Sequence, residues 1–469
     1  MAQQVLKVTD MAPSGAGVAF DGGLRIFVPG ALPGDRVRAD VTPPARGAHS
    51  GIAQPIEWLE ESAWREQKPC AAYKATPACG GCPLAALSPI GQAAIKTRLL
   101  TDALASAKVD APTPLPLIEA ATLEGTFTTG FRNKAVLYAS MSDTHTWQFA
   151  LYSQGSHTPV PASVHCPQTP RWMADVALAT AKALDDTPLT PWNETLLTGD
   201  IRSLLMREGA SEHSLQRLVC LVVRDWTPEV LEFARVWAEA LKAHHITSLY
   251  LCRHPAAGNA VLGHDYRLID GVDAITTTIG GLTFDVRPET FLQVNPEQTE
   301  KLYAQALAWA DIKPDDIFLD LYCGIGTMTL MGAQCAKEAI GIEWVEASIE
   351  RARHNAQKNG LTNTNFYAGA VEDVLPKLIA QGLNPTTAIL DPAFKGLDET
   401  VPAMLTGLAL KRFVYVSCNP KTFARDAARF VKLGWRIEQI VPVDLFPGAL
   451  HVETVAKFVR HFAIRSYYR

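Results

Sequence analysis

The sequence predicts an α/β protein in which a doubly wound, mostly parallel sheet follows a central α+β region and a small N-terminal β-barrel. The 469 residues are too many for one hydrophobic core. After about residue 290 apolar runs alternate with helical segments, whereas residues 1–60 hold short strands broken by Gly and Pro. Strand–helix alternation favours a parallel sheet with right-handed crossovers. We therefore expect three domains, at 1–60, 61–290 and 291–469.

The first 60 residues show the spacing of a five-stranded barrel of the oligonucleotide-binding type. Turn residues such as Asp21-Gly22-Gly23 separate the strands, and residues 43–51 are expected to form a mobile loop. The predicted strands are Val5–Val8, Gly17–Phe20, Leu24–Val28 and Val37–Val41.

The later elements are predicted from period-2 and period-3.6 apolar patterns. The central strands are expected at Ala135–Ala139, Gln148–Tyr152, Arg217–Val223 and Ser248–Cys252, with helices at Thr169–Ala183 and Pro228–Ala243. The C-terminal strands are expected at Ile317–Tyr322, Ala339–Glu343, Ala388–Asp391, Phe413–Ser417 and Thr454–Val459. The C-terminal helices are expected at Glu297–Ala310, Thr327–Ala336, Val345–Asn359 and Pro420–Leu433.

Composition excludes several classes of protein. With 48% hydrophobic and 19% charged residues, the chain is typical of a globular protein rather than a disordered one. No run of about 18 apolar residues occurs, so no membrane span is expected, and the N-terminus lacks a signal-peptide pattern. Nine cysteines, most of them isolated, favour a reducing, cytoplasmic compartment over a disulfide framework.

The charge distribution leaves nucleic-acid binding open. The net charge of −5 argues weakly against it. From residue 411 to 469, however, eleven Lys and Arg face only four acidic residues. This basic segment fits either a phosphate-facing surface or a solvated helical face.

A cofactor site is predicted after the first C-terminal strand. Residues Asp320–Thr327 place two glycines in the first strand–helix turn, where backbone can approach a ligand closely. Glu343, 23 residues after Asp320, ends the next strand and is positioned to hold a ribose diol. The full G-x-G-x-x-G of nicotinamide sites is absent, because position 329 is Thr. A nucleoside ligand without a pyrophosphate, such as S-adenosylmethionine (SAM), is favoured over a nicotinamide or an empty turn.

A nucleophile is predicted at Cys418, where a strand ends at Ser417-Cys418-Asn419-Pro420 just before a helix. The helix dipole there favours a thiolate, although a buried, inert cysteine is the common alternative. Methyl transfer to carbon 5 of uracil needs such a thiolate, because its addition to C6 makes C5 nucleophilic. A base must then remove the C5 proton, and Glu453, at the start of the last strand, is the candidate.

Several separated motifs together identify a family. Besides the segments above, the chain carries Phe291-Leu292-Gln293-Val294-Asn295, Asp391-Pro392-Ala393 and His451-Val452-Glu453. In these motifs and over its whole length it resembles bacterial RNA uracil-C5 methyltransferases of the RlmD/RumA type.

This resemblance implies a role for each motif. The N-terminal segment is implied to be a TRAM domain, an RNA-binding barrel. The implied SAM-binding residues are Gln293, Tyr322, Thr327, Glu343 and Asp391, with Asp391 also near the uracil. Cys418 is implied as the nucleophile and Glu453 as the base. Phe394 and Ala449 depart from the family, which usually has Arg and Thr there.

Four cysteines predict a metal centre. Their spacing, Cys70, Cys79 and Cys82 with Cys166 far downstream, suits zinc or an iron–sulfur cluster, and also allows no metal. The resemblance implies a [4Fe-4S] cluster with a structural role.

The resemblance also implies the partner. We expect 23S rRNA as the substrate, tRNA as its closest rival, and a monomeric protein. A non-catalytic RNA-binding or assembly protein on the same fold is the alternative of a different class.

Overall fold

The computed structural model describes residues 2–12, 14–42, 49–66, 70–123, 126–127, 129–211, 214–258 and 260–460. Positions 43–48 of the expected loop lie outside these residues, as do the last two arginines of the basic segment.

The N-terminal residues form the expected closed barrel, in the order β1-β2-β3-β5-β4. Its strands are β1 (Ala2–Met11), β2 (Gly17–Asp21), β3 (Leu24–Val28), β4 (Arg36–Thr42) and β5 (Ser50–Glu60). Alternate side chains such as Ile26, Val37 and Ala53 are completely buried and fill the barrel. The five-stranded barrel predicted from the sequence is confirmed.

The cysteine-rich segment holds α1 (Ala71–Lys74) and α2 (Pro89–Ser106). Ser88 caps α2 by accepting a hydrogen bond from the Gly91 amide (3.4 Å), and Pro89 fits the first helical turn.

The central region is a seven-stranded sheet in the order β10-β9-β8-β11-β12-β13-β14, covered by α3 and α4. Its elements, with a preceding two-stranded ribbon, are β6 (Thr122–Leu123), β7 (Thr126–Phe127), β8 (Lys134–Met141), β9 (Trp147–Tyr152), β10 (Pro159–Val160), α3 (Arg171–Leu184), β11 (Ile201–Ser211), β12 (Ser214–Val223), α4 (Pro228–Ala240), β13 (Ser248–Arg253) and β14 (Asp265–Gly271). Short 3₁₀ helices occupy Pro161–His165 and Lys242–His244. The prediction missed β11, the middle strand, because Arg202 and Arg207 interrupt its apolar pattern although both are buried.

A hairpin leads into the C-terminal sheet, whose order is β19-β18-β17-β20-β21-β23-β22. The elements are β15 (Ile275–Ile279), β16 (Leu282–Val286), α5 (Pro296–Ala310), β17 (Ile317–Leu321), α6 (Thr327–Ala333), β18 (Glu338–Glu343), α7 (Glu346–Lys358), β19 (Thr364–Ala368), α8 (Val371–Ala380), β20 (Thr387–Leu390), α9 (Val401–Gly407), β21 (Arg412–Ser417), α10 (Pro420–Lys432), β22 (Trp435–Val443) and β23 (Glu453–Arg460). Strands β17 to β21 are parallel, so the doubly wound fold is confirmed.

Among the described strands of this sheet, only β23 runs against the direction of the others. The prediction missed β22, in which Arg436, Glu438 and Pro442 obscure the apolar pattern. Strand β22 runs in the direction of β21 and brings the chain back to the carboxyl edge of the sheet, so β23 runs antiparallel to both. The first residue of β23 therefore lies at the edge where the parallel strands end.

One core joins the cysteine-rich segment to the C-terminal sheet. Leu100 and Leu104 of α2 are buried in the same cluster as Leu319 and Phe413. In the described part of the chain, no helix is both long and apolar enough to cross a membrane.

Candidate active site

Cys418 and Glu453 lie next to each other at the carboxyl edge of the C-terminal sheet. Ser417, the last residue of β21, pairs with Thr454 of the antiparallel strand β23. Continuing that register by one residue brings Cys418 opposite Glu453. The reversal of β23 is what makes this possible, since a parallel last strand would start at the opposite edge.

Glu453 is buried, with 2% of its surface exposed. Burial and the nearby charge of Asp391 raise the pKa of Glu453 to about 8. Asp391 follows β20, where its amide donates to the Leu321 carbonyl (3.2 Å), and burial raises its pKa to about 7. The two carboxyl groups are thus poised to exchange protons near neutral pH.

The Cys418 thiol has an unfavourable environment for ionisation in the ligand-free protein. Burial, followed by the charges of Glu453 and Asp391, raises the pKa of Cys418 to about 12. The sequence argument expected the start of α10 to favour a thiolate, and Asn419 does cap that helix by accepting from the Lys421 amide (3.0 Å). Burial and the two carboxylates thus outweigh the helix dipole and favour the thiol over the thiolate.

The predicted cofactor loop has the backbone of a ligand cradle. Tyr322, Gly324 and Gly326 have positive φ angles of 69°, 56° and 83°. A Cβ added at Gly324 would meet no heavy atom within 4 Å, so this turn faces open space. Glu343 lies beside it and accepts hydrogen bonds from the amides of Gly324 (3.2 Å) and Val345 (2.9 Å). This carboxylate is placed to bind a ribose at the end of β18.

Asp320, beneath that loop, has one carboxylate oxygen without a hydrogen-bond donor among the described residues. It is fully buried, and its Oδ2 accepts from the Thr329 hydroxyl (2.6 Å). Its Oδ1 has no partner among the described residues, and burial raises the pKa of the carboxyl to about 7. A cationic group on a bound ligand would satisfy this oxygen, which fits the amino-acid part of SAM. Thr329, the residue that breaks the dinucleotide motif, thus holds the aspartate.

The Phe291–Asn295 motif connects three parts of the site. Asn295 caps α5 by accepting from the Gln298 amide (3.3 Å), and its amide nitrogen donates to the Leu445 carbonyl (3.1 Å). The carbonyl of Gln293 accepts from Asn133 of the central region (3.2 Å). Phe291 is 67% exposed, which suits an aromatic contact with a ligand.

The structure adds one residue that the sequence did not single out. Tyr303 of α5 is buried against Thr327, close enough to Asp391 to feel its charge, and burial raises its pKa. A tyrosine in an amphipathic helix has the pattern of a core residue, so nothing in the sequence distinguished it. Thr327, at the start of α6, is buried, with 7% exposure.

The four predicted metal ligands converge. Burial and the neighbouring Cys166, Cys79 and Cys70 raise the pKa of Cys82 to about 12. All four cysteines are free thiols, and the Gln168 amide donates to the Cys82 sulfur (3.1 Å).

The arrangement of these thiols does not by itself show a metal centre. Among the described residues, no group of three or more His, Cys, Asp or Glu side chains is arranged to hold a metal ion.

Comparisons with known proteins point to one family of enzymes. The family model described as tRNA (Uracil-5-)-methyltransferase matches residues 277–460. RNA methyltransferases of Listeria innocua and Enterococcus faecalis, both named as uncharacterized, are 33% and 32% identical over 96% of this chain, and over 96% and 95% of their own lengths. The fold matches the Pyrococcus abyssi tRNA (uracil-54, C5)-methyltransferase in complex with S-adenosyl-L-homocysteine, with a TM-score of 0.74 and 22% identity, covering 97% of this chain and 99% of that one.

Proposed function

Because this chain belongs to the RNA uracil-C5 methyltransferase family and is a SAM-dependent RNA methyltransferase, we propose that it makes 5-methyluridine in 23S rRNA through a covalent cysteine–uracil adduct. The adjacency of Cys418 and Glu453 across β21 and β23 carries this proposal. A nucleophile and a base side by side at the cofactor edge are what methylation at C5 requires.

The proposed reaction assigns each group one task. The Cys418 thiolate adds to uracil C6, and the resulting enolate attacks the methyl group of SAM through C5. S-adenosylhomocysteine is released, and C5 then carries both the new methyl group and its original proton. Glu453 removes that proton, the C5=C6 double bond re-forms, and the Cys418 thiolate leaves.

The charges of the site fit this order of events. The sulfonium of SAM brings a positive charge to an edge that holds Asp391 and Glu453. Opposite charge favours the ionised form of nearby acids, so SAM binding lowers the pKa of the Cys418 thiol and of both carboxyls. We infer that the nucleophile becomes active only when the methyl donor is present.

The choice of 23S rRNA rests on the family resemblance and on the four converging cysteines. The N-terminal barrel does not separate the two substrates, because the likeness to the Pyrococcus tRNA enzyme covers 97% of this chain. That coverage makes tRNA the second candidate substrate.

A [4Fe-4S] cluster at Cys70, Cys79, Cys82 and Cys166 is part of the proposal. A zinc ion needs all four sulfurs about 2.3 Å from one point. A four-iron cluster binds each thiolate through a different iron, so its sulfurs lie further apart. This part of the proposal rests on the family resemblance and on the mutual proximity of the four thiols, since the described residues show no arrangement that would hold a metal ion.

Mapping 5-methyluridine in cellular 23S rRNA and tRNA, with and without this protein, tests the substrate. We expect one 23S site to lose the modification in its absence, and purified protein with SAM to restore it on an unmodified transcript. Loss of 5-methyluridine from tRNA alone would make tRNA the substrate instead of 23S rRNA. No loss from either RNA would contradict the proposed function.

A further inference from the structure

A buried arginine and a partly exposed lysine face each other in the central sheet. Lys134 of β8 pairs directly with Arg207 of β11, so both side chains lie on the same face. Arg207 is only 2% exposed, whereas Lys134 is partly exposed. Burial, and then the charges of Arg207 and Arg132, lower the pKa of Lys134 to about 7. Three positive groups thus share one small region.

No carboxylate forms an ion pair with Lys134 or Arg207 among the described residues, although the charge of Glu289 acts on Arg207 and the thiols of Cys82 and Cys166 act on Arg132. The Nη1 of Arg207 donates to the Arg287 carbonyl (3.3 Å), but its Nε and Nη2 have no partner in the part of the chain that the structure describes. Glu289 is paired with Arg287 instead (Nε–Oε1, 3.3 Å). Unpaired donors on a buried charge are costly.

The cluster borders the active site. Asn133, between Arg132 and Lys134, donates to the carbonyls of Val294 (2.8 Å) and Gln293 (3.2 Å). Arg207 holds the carbonyl of Arg287 at the other end of the same segment. The cations therefore flank residues 287–295, which lead into α5 and the cofactor loop.

We propose that Arg132, Lys134 and Arg207 form a binding site for one backbone phosphate of the RNA, next to the target uridine. The inference rests on the proposed function for the identity of the ligand. The Nε and Nη2 edge of a guanidinium matches two phosphate oxygens. Lys134, being partly exposed, meets the phosphate first, and the deeper Arg207 completes the site once side chains shift to admit it.

RNA affinity measured between about 50 and 200 mM salt tests this site. The probes are unmodified 23S rRNA and tRNA transcripts, and the variants are Lys134→Met and Arg207→Met. Arg202→Met is the control, because Arg202 is also buried in β11 (6% exposed) but has partners in the carbonyls of His254 (3.0 Å) and Ala256 (2.7 Å) and in the Glu194 carboxylate (3.7 Å). SAM affinity is measured in parallel, since the SAM carboxylate is the other anion nearby.

We expect Lys134→Met to weaken RNA binding about tenfold and to reduce the slope of log K against log salt by about 0.7 to 0.9, the loss of one phosphate contact. The SAM affinity of Lys134→Met should equal that of the wild type. The RNA affinity of the Arg202→Met control should also stay at the wild-type value. An unchanged RNA slope overturns the proposal, and so does a loss of SAM affinity alone. If Arg207→Met does not fold, the salt slopes of Lys134→Met and Lys134→Glu decide whether the phosphate site exists.

The test of the phosphate site can fail independently of the test of the proposed function. The salt dependence of RNA affinity can be measured without any methylation, whereas methylation of a transcript identifies the substrate. Methylated 23S rRNA with an unchanged slope would remove the phosphate site alone. A reduced slope without methylation of either transcript would keep the site and refute the proposed function.

Discussion

Lys96 of α2 and Asp444, the residue after β22, form a buried ion pair with Nζ 2.5 Å from Oδ1. The Phe446 carbonyl also accepts from Lys96 (2.9 Å), and the Phe446 amide donates to Asp444 (3.1 Å). The pair therefore fastens the segment that leads into Glu453. It joins two parts of the chain 348 residues apart.

Lys96→Met should destabilise the protein strongly, because it leaves Asp444 buried without its counter-ion. A loss of about 3–5 kcal/mol in the free energy of unfolding is expected from denaturant titration. Lys301→Met is the control, since Lys301 forms an exposed pair with Glu297 (2.9 Å) and should cost about 0–1 kcal/mol. Equal effects of the two variants would contradict a structural role for the buried pair.

Cys418→Ala should lower single-turnover methylation more than about a thousandfold, because no other group can add to C6. SAM affinity, measured by calorimetry, should stay within about twofold, since the glycine loop and Glu343 lie on other strands. Cys335→Ala, which removes an exposed thiol, is the control. Wild-type turnover by Cys418→Ala would exclude the nucleophile and support a non-covalent or non-catalytic protein.

Glu453→Gln should accumulate a covalent protein–RNA complex that survives a denaturing gel. The amide cannot remove the C5 proton, so the thiolate cannot leave after methyl transfer. The double variant Cys418→Ala/Glu453→Gln should give no such band. Normal turnover by Glu453→Gln without any adduct would assign the proton transfer to another group, with Asp391 the nearest carboxyl.

The same glutamate should make activity and stability respond oppositely to pH. Its pKa is about 8 in the folded protein against an ordinary value of 4.5, so the folded state holds the proton more tightly than the unfolded state. Its contribution to stability is full below pH 4.5 and is lost as pH rises towards 8. Proton abstraction, in contrast, needs the ionised form.

Two measurements check this opposition. The rate of adduct resolution in the wild type should rise with pH towards about 8, because the sulfonium charge of SAM is already gone at this step. Thermal unfolding should show Glu453→Gln more stable than wild type at pH 9 and indistinguishable at pH 4. A pH-independent difference in melting temperature would contradict the raised pKa.

Protein purified without oxygen should be brown and contain about four iron and four sulfide per chain. Cys82→Ser should lose the colour, whereas Cys335→Ser should keep it, because Cys335 lies apart as an exposed thiol. A colourless protein with one zinc per chain would contradict the cluster and indicate a single zinc ion at this site.

Four of the five parallel strands of the C-terminal sheet were predictable, because they are apolar runs between amphipathic helices, whereas β19 was missed. At the antiparallel end β23 was predicted, but β22 was not, since charges and Pro442 obscure its apolar pattern. Cys418 could be found from its position at a strand end. The raised pKa values of Cys418 and Asp391 could not, because they depend on burial by residues distant in sequence.

The cation cluster shows the same limit. Arg207 looks like a surface residue in the sequence, because arginine is rarely buried, and only the pairing of β8 with β11 places it against Lys134. Long-range strand pairing is the information that a single sequence does not carry.

The burial of α2 in the core of the C-terminal sheet sets an order for folding during synthesis. The helix packs against α10, and Leu100 shares its buried cluster with Phe430 of that helix about 330 residues later, so α2 emerges from the ribosome long before its partner helix exists. At about 5–20 residues per second, that interval lasts roughly 15 to 65 seconds. Until then, the apolar face of α2 has to be kept from aggregating, and the chain can complete this core only after α10 has been made.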